Sequence, residues 1–308
     1  MVDIARRELL KLIAAGGAAA GLAKLGGPLV ALAGATPDIV VVEGADAAAN
    51  VRAAVDALGG MGRFVSKGDK VVIKPNMGFG NPPQRATTTE PAVVRALAEM
   101  ALNAGAKRVM VFDNPCHKAN IVLDVCGIRD ALKGLDDTFV YLVRRDNLFR
   151  KVAIPKGKAL KRQKVAIDIL EADVIINVPV AKSHGGAKVS FGMKNWMGVV
   201  KNRGFWHVVV NLHQAIADMA TFIRPALTVL DATRALVTGG PGGPGKVVAL
   251  RKVVAGIDPV AVDAYGLTLA KWGGKGYRPE DVPHIIKAAE HGVGTYELDR
   301  LNIVRIAV

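Results

Sequence analysis

Cysteine is scarce in this chain: Cys116 and Cys126 are the two thiols among 308 residues. Two thiolates cannot supply the four ligands of a zinc or iron–sulfur site, so the sequence excludes an intrachain four-cysteine cluster. Their separation does not fit the C-x-x-C redox motif either. Two alternatives stay open for the pair: a disulfide in an exported protein, or free thiols in a core if the protein is cytoplasmic.

Aromatic residues are also few, at 5% of the chain, and glutamine is found only at positions 84, 163 and 214. The core must therefore be built from valine, alanine, leucine and isoleucine. A hydrophobic fraction of 51% and a mean hydropathy of +0.27 are those of a globular protein and exclude a disordered one. The low content of thermolabile residues favours a thermophilic source. Beyond the N-terminal region, no uncharged apolar segment reaches the length of a transmembrane helix.

Acidic residues are outnumbered, because 27 Asp and Glu face 41 Lys and Arg, for a net charge of +14. Such an excess predicts anionic partners. The densest basic run, 144–164, contains one acid, Asp146, and one aromatic residue, Phe149. Nucleic-acid binding is therefore not expected, since single strands are usually bound by interleaved stacking aromatics. The run is either a solvated basic hairpin or a docking surface for an acidic partner or a membrane.

The common phosphate-binding motifs are missing as well. Lys246 is followed by Val247, so the glycine-rich segment 238–246 is not a Walker A loop, and no strand leads into a convincing G-x-G-x-x-G. The segment contains Gly239 and Gly240, whose N–H groups would suit a backbone nest for an anion within a mobile lid. The other interpretation of this segment is a plain surface loop.

The first 35 residues are typical of a targeting element. Arg6 and Arg7 are followed by a spacer, two leucines and a lysine, and then by a mildly apolar Ala/Gly-rich stretch. This pattern resembles a twin-arginine export signal and predicts an exported or membrane-associated protein. The alternative is an amphipathic N-terminal helix on a cytoplasmic protein. In either case the folded body is expected to be 36–308.

Short apolar runs alternate with helical patterns along that body. The runs at 39–43, 70–74, 108–112 and 174–178 are nearly continuous in valine and isoleucine, as in strands that are buried on both faces. The sequence therefore predicts an α/β fold with a mostly parallel, doubly wound sheet and helices on both faces, as a single domain or as two lobes.

Polar residues follow several of the predicted strands. These residues are Lys74 with Asn76, Asp113, Asn177, Asp231 and Asp258. The carboxyl ends of parallel strands share one edge of a sheet, which is where ligands bind in such folds, so we expect all of them at one site. Any one of these aspartates alone would be read as a helix cap or turn former.

The segment 173–207 is the strongest indication of function. A buried strand leads into a predicted loop that is rich in glycine, lysine and histidine. Glycines allow the backbone to approach a ligand, and amines neutralise an anion. We expect His184 to be a general acid or base, and Lys182 and Lys194 to bind a small anionic substrate.

The full set of predicted site residues follows from these arguments. The catalytic candidates are His184 and Lys194. The candidates for substrate binding are Lys74, Asn76, Asn177, Lys182, Asn195, Gly239 and Gly240. Asp113, Asp231 and His207 are the candidates for a metal ion, with anion contacts or core histidines as the alternative for His184, His207 and His213.

Taken together, these motifs resemble the family called domain of unknown function 362. The likeness is carried by Lys74-Pro75-Asn76, Asp113, Lys182-Ser183-His184, Lys194-Asn195, His213, Asp231, Gly239-Gly240-Pro241 and 256–264, over roughly 70–270. Many members carry an additional ferredoxin-like segment, which is missing here, so the resemblance does not imply iron–sulfur binding. The family has no settled activity.

A weaker resemblance concerns His184-Gly185-Gly186, Lys194 and His207, which are similar in order to a loop of the nickel-pincer lactate racemases. In that family a lysine holds a pyridine-derived cofactor, and histidines ligate nickel or move protons. The expectation is an enzyme that acts on a small anionic substrate, with a metal or an organic cofactor not excluded. The alternative is an exported ligand-binding or assembly protein without chemistry.

Overall fold

The computed structural model describes residues 36–308. These residues are built around an 11-stranded sheet. The predicted export signal, including Arg6 and Arg7, lies outside the described residues. The strands of the sheet are β1 (Ile39–Glu43), β2 (Lys70–Pro75), β3 (Arg108–Asp113), β4 (Thr138–Leu142), β7 (Val174–Val178), β8 (Val180–His184), β9 (Lys188–Ser190), β10 (Leu227–Leu236), β11 (Val247–Val248), β12 (Lys252–Gly256) and β13 (Ile303–Ala307). A separate two-stranded hairpin consists of β5 (Phe149–Ala153) and β6 (Arg162–Ala166).

The sheet is mostly parallel, as predicted. Its strands follow the order β13-β1-β12-β10-β7-β2-β3-β4. The pairs from β10 to β4 are all parallel, and so is β1 with β13. Along this path β12 runs the other way, antiparallel to both β1 and β10. The side chains at the carboxyl ends of β2, β3, β7 and β10 are therefore on one edge.

The reversed strand overturns one prediction. Because β12 is antiparallel to β10, the residue that follows it, Asp258, lies at the opposite edge of the sheet. It lines a pocket there with Pro37 and Pro225, which precede β1 and β10. Its carboxylate caps the next helix by accepting hydrogen bonds from the N–H groups of Val260 and Ala261. Asp258 is therefore a helix cap and not part of the candidate site.

Helices cover both faces of the sheet. Side chains alternate along β1, so that Ile39 and Val41 belong to one buried cluster and Val40 and Val42 to the other. The helices are α1 (Ala47–Ala57), α2 (Pro91–Asn103), α3 (Ala119–Val125), α4 (Ile128–Ala131), α5 (Ile167–Leu170), α6 (Gly192–Asn195), α7 (Gly204–Val208), α8 (Leu212–Phe222), α9 (Pro259–Leu267) and α10 (Pro283–Glu290). α1 and α2 pack with one cluster, and α8, α9 and α10 with the other. The predicted doubly wound α/β fold is confirmed.

Three local predictions need correction. The segment after β7 is not a loop, because β8 and β9 form a hairpin whose first strand pairs in parallel with β10. The sequence pattern predicts a helix over 208–222, but the helix begins at Leu212, where Asn211 accepts a hydrogen bond from the N–H of Gln214. The apolar run 226–230 predicts a strand that ends at Leu230, but β10 continues to Leu236, and this extension is the pairing surface for β8 that local propensity does not reveal.

The cysteines are free in this fold, with Cys116 exposed and Cys126 buried. The disulfide alternative is therefore wrong for the described structure. Burial raises the pKa of the Cys126 thiol, as expected for a core cysteine. Between residues 36 and 308, no helix is long and apolar enough to cross a membrane.

Candidate active site

A buried ion pair lies at the carboxyl edge of the sheet. Lys74, at the end of β2, is fully buried, and its Nζ lies 3.1 Å from Oδ1 of Asp113 at the end of β3. The same Nζ donates a hydrogen bond to Oδ1 of Asn195, at 3.2 Å. Gly198 packs against this pair so closely that a Cβ there would stand 1.9 Å from Asp113 Oδ1. Lys74 and Asp113 therefore hold the site together and are shielded from any ligand.

Three asparagines tie the strands to the segment that follows the hairpin. Nδ2 of Asn195 donates to the carbonyl of Lys74 at 3.1 Å and to Oδ1 of Asn177 at 2.9 Å. Asn76 donates to Oδ1 of Asn195 at 3.1 Å, and Asn177 donates to the carbonyl of Gly192 at 2.9 Å. The sequence predicts that these amides orient a substrate. The structure brings them together, but most of their hydrogen-bonding capacity is used within the protein.

Lys182 lies in the same network, on β8. Its buried Nζ donates to the carbonyl of Thr87 at 2.6 Å and to Oδ1 of Asn76 at 3.1 Å, and it lies 4.6 Å from the centre of the Phe79 ring. Burial lowers the pKa of Lys182 to about 7, with nearby Lys194 contributing in the same direction. Lys182 therefore holds Thr87 and Asn76 in position, and its ammonium loses its proton at a lower pH than an ordinary lysine does.

The short helix α6 presents Lys194 to the site. Sequence reasoning misses the residue that anchors this helix, Asp263 on α9. Its carboxylate accepts hydrogen bonds from the N–H groups of Gly192, at 2.7 Å, and Met193, at 3.0 Å. Burial raises the pKa of Asp263 to about 7. Asp263 is the one charged residue of the apolar helix Pro259–Leu267, a local sign of a buried carboxylate, but the sequence does not show that α6 is its partner.

Lys194 differs from the other two buried lysines, because its ammonium has no partner. The residue is 7% exposed, and among residues 36–308 nothing accepts a hydrogen bond from Nζ or forms an ion pair with it. Burial lowers its pKa to about 8, with Arg203 adding to the effect and Cys116 opposing it. Nζ is not among the fully enclosed side-chain atoms that lack a partner, so the small exposed part of Lys194 leaves its amine accessible to a ligand.

Two stacked histidines stand beside Lys194. The rings of His184 and His207 are parallel to within 6°, with centres 5.7 Å apart. Nδ1 of His184 accepts a hydrogen bond from the N–H of Ala187 at 3.0 Å, which places the proton of the neutral ring on Nε2. Burial, followed by the charge of Lys194, lowers the pKa of His184 to about 3. His184 is therefore neutral at physiological pH, with an N–H donor at Nε2.

The two aspartates that the sequence suggests as metal ligands are already occupied. Asp231 accepts hydrogen bonds from the N–H of Glu90 and from the N–H and hydroxyl of Thr233. Asp113 accepts from the N–H groups of Met77 and Asn114 in addition to Lys74. Within the described part of the chain, no group of three or more His, Cys, Asp or Glu side chains is arranged to hold a metal ion. Asp113 and Asp231 thus act as structural acceptors at the strand ends.

The glycine-rich segment lies against the hairpin. Gly240 donates its N–H to the hydroxyl of Ser183 at 3.1 Å, and a Cβ at Gly240 would collide with the Ser183 carbonyl. Gly239 has a φ of +68°, which glycine adopts without strain. These glycines therefore serve close packing against β8, beside Lys182, and the structure adds no observation of an anion nest.

Two further histidines extend the site into the core. Nδ1 of His213, on α8, lies 3.0 Å from Nδ1 of His284, on α10, and Nε2 of the buried His284 has no partner among the described residues. Burial lowers the pKa of both rings. The sequence allows a core histidine or an anion contact at His213. His284 lies in an ordinary helical pattern, so sequence reasoning does not single it out.

Comparison with known proteins identifies a family that is similar to this chain. The model of a family described as domain of unknown function, DUF362, matches residues 71–268. A thylakoid-associated protein of Synechocystis sp. is 32% identical over 208 residues, which is 65% of this chain and 63% of that protein. This chain thus spans less than two thirds of the relative's length.

Two solved structures are also similar. The lactate racemase apoprotein of Thermoanaerobacterium thermosaccharolyticum has a TM-score of 0.46 and 14% identity, over 71% of this chain and 54% of that one. A Thermotoga maritima protein solved by structural genomics has a TM-score of 0.38 and 13% identity, over 62% of this chain and 50% of that one. Since the family model matches well over half of the chain, including Lys74, Asp113, Lys182, His184 and Lys194, the chain belongs to the DUF362 family.

Proposed function

We propose that this protein is an enzyme that acts on a small anionic substrate at Lys194 and His184. The observation that supports this proposal is the unpartnered ammonium of Lys194, which is 7% exposed and next to two neutral histidines. An anionic group of a substrate would provide the missing partner. Two other charged groups of the site, Lys74 and Asp113, already neutralise each other.

Each group of the site has a role in this proposal. Lys194 binds and neutralises the anion, and Nε2–H of His184 faces the reacting group as a hydrogen-bond donor. His207 stacks on His184 and limits its rotation. The charge of Lys182, whose Nζ donates a hydrogen bond to Asn76, raises the positive potential at the site. The asparagines and the Lys74–Asp113 pair fix the positions of these groups.

A second candidate function is ligand binding or assembly without chemistry. It is favoured by one observation: the amides of Asn76, Asn177 and Asn195 are engaged in internal hydrogen bonds, which leaves few groups to promote a reaction. Both functions require Lys194. Only the enzymatic one requires His184 to do more than pack.

Replacement of Lys194 by methionine tests the proposal, because it removes the charge and keeps much of the volume. We expect Lys194→Met to abolish the thermal stabilisation that the wild type gains from small carboxylates or phosphates in a ligand screen. Lys188→Met is the matched control, since Lys188 lies in the hairpin just before α6 but its Nζ faces the Tyr277 ring. A Lys194→Met variant that keeps the ligand response would contradict the proposed site.

Replacement of His184 then separates the two functions. With a ligand from that screen as substrate, His184→Phe is expected to reduce turnover by roughly 10²–10³-fold, the range for loss of one hydrogen-bond donor to developing charge, with binding largely kept. Ligand binding without turnover in the wild type would favour the non-catalytic alternative.

A cofactor, in this proposal, would be bound by the same residues. The nickel-pincer resemblance singles out Lys194, His184 and His207, and the structure brings these three side chains together. Lys194 would hold an organic group there, and His207 would be a metal ligand. Such a cofactor would supply the metal centre. The protein's own contribution would remain the charge of Lys194 and the proton at Nε2 of His184.

We also propose that the protein is exported or attached to a membrane. The Arg6-Arg7 pattern and the thylakoid association of the Synechocystis relative support this location. Replacing both arginines by lysine is expected to retain the precursor in the cytoplasm, as measured by cell fractionation. The paired change Arg144→Lys and Arg145→Lys is the control and should leave the distribution unchanged. Equal export of both variants would refute the signal.

A further inference from the structure

One face of the hairpin β5–β6 carries an unusual set of charges. Lys151 is directly opposite Lys164, and Arg162 is opposite Ala153, so all three side chains share one face. Lys201 joins them, with its Nζ 5.3 Å from the centre of the Phe149 ring, on that same face. Like charges directly opposite each other in a sheet are destabilising.

Little within the protein compensates this charge. Lys164 has an acidic partner, Asp146, at 2.8 Å, in a pair that is largely exposed. Lys151 and Arg162 form no ion pair among residues 36–308, whereas Lys201 donates to the carbonyl of Arg144 and shares the charge of Asp146 with Lys164. A shallow groove of about 350 Å³ is lined by these basic residues together with Phe205. The basic side chains of this groove are therefore available to bind an anionic surface outside the protein.

Apolar side chains protrude next to this groove. On and just after α7, Phe205 is 46% exposed, Val209 65% and Val208 85%. Isolated exposed valines are common, but three large apolar residues on one short turn form a patch.

The patch is held rigidly against the hairpin. Trp206, between the exposed residues, is fully buried, and its Nε1 donates to Oε1 of Gln163 on β6 at 3.1 Å. Gln163 in turn donates to the carbonyl of Lys201 at 2.7 Å, and the N–H of Lys201 donates to the carbonyl of Lys164 at 2.9 Å. Gln163 points away from the basic face, but Phe205 lines the groove together with Lys151 and Arg162, so the apolar turn and the basic face meet along that groove.

We propose that this surface, made of the β5–β6 hairpin and α7, docks onto an anionic lipid bilayer. Phe205, Val208 and Val209 enter the headgroup region, where apolar side chains leave water, while the basic residues contact lipid phosphates. A bilayer fits better than an acidic protein, because protruding apolar side chains beside a basic groove suit a deformable apolar layer below an anionic one. His207 belongs to α7, so this surface adjoins the candidate active site.

Vesicle co-sedimentation of the full chain tests the proposal. We expect binding to phosphatidylcholine vesicles that contain phosphatidylglycerol, little binding to phosphatidylcholine alone, and release by high salt. Lys151→Glu with Arg162→Glu should lower partitioning by roughly tenfold or more, because each basic residue near an anionic surface contributes to attraction. Val208→Asp with Val209→Asp should weaken binding as well, even at low salt.

Matched controls lie at the far edge of the sheet. Lys67→Glu with Lys107→Glu, in loops before β2 and β3, changes the net charge equally, and Ile257→Asp alters another exposed apolar residue. These controls should bind like the wild type, and circular dichroism should show that all variants are folded.

Four results would overturn the proposal. Unchanged vesicle binding in both surface variants would place the membrane contact elsewhere in the chain. Equal losses in surface and control variants would reduce the effect to net charge. Capture by polyglutamate without vesicle binding would assign the surface to an acidic protein, and a dimer that Val208→Asp dissociates would assign it to a second copy.

Discussion

Asp113→Ala is expected to lower the free energy of unfolding by about 3–5 kcal/mol, the usual cost of breaking a buried ion pair from one side. The substitution leaves the ammonium of Lys74, which is fully buried, without its counter-ion. It also removes the acceptor for the N–H groups of Met77, at 2.6 Å, and Asn114, at 2.8 Å. Equilibrium unfolding in guanidinium chloride measures the loss.

Two further variants identify the cause. Asp124→Ala breaks an ion pair with Arg129 whose side chains are 59% and 45% exposed, and it should change stability little. The double variant Lys74→Met with Asp113→Ala should be more stable than Asp113→Ala alone, since no unpaired charge remains. If Asp113→Ala is as mild as Asp124→Ala, the pair does not hold the strand ends together.

The sheet can be predicted from the sequence because its strands are marked locally. Near-continuous valine and isoleucine runs, such as Val71–Ile73 and Val174–Ile176, identify strands that are buried on both faces. Since parallel strands share one polarity, the same pattern also predicts that Lys74, Asp113 and Asn177 lie on one edge. The sequence does not indicate the direction of β12, because antiparallel and parallel strands of this composition show the same residue pattern. The prediction for Asp258 is wrong for that reason.

The inner organisation of the site cannot be predicted for a different reason. Lys182 and His184 look like loop residues, yet they are on a strand that is stabilised by pairing with β10, about fifty residues later in the chain. Asp263 and His284 act through contacts with α6 and His213 that are distant in sequence. Residue types indicate an anionic ligand, but only the fold shows that Lys194 is unpartnered while Lys182 and Lys74 are bonded internally.

Binding of sulfate, whose charge is constant from about pH 6 to 10, is expected to weaken as the pH rises through the pKa of Lys194, about 8. Above that pKa the affinity should fall by up to about tenfold per pH unit, because each unit of pKa corresponds to about 1.4 kcal/mol between the two protonation states. His184, with a pKa of about 3, stays neutral throughout and does not contribute. Isothermal titration calorimetry at several pH values measures the slope.

Two measurements assign the slope to Lys194. Lys194→Arg keeps its charge at high pH, so the sulfate affinity of this variant should be nearly constant from about pH 7.5 to 9.5. A slope that persists in this variant would point to Lys182, with a pKa of about 7.

The stability of the protein without ligand should change with pH in the opposite direction. Because the unfolded chain has lysine near its ordinary pKa of 10.5, it binds more protons than the native state above about pH 8, and the free energy of unfolding gains a contribution that rises with pH. Weaker binding alongside this rise would exclude unfolding as its cause, whereas a flat affinity in the wild type would mean that no titrating lysine holds the anion.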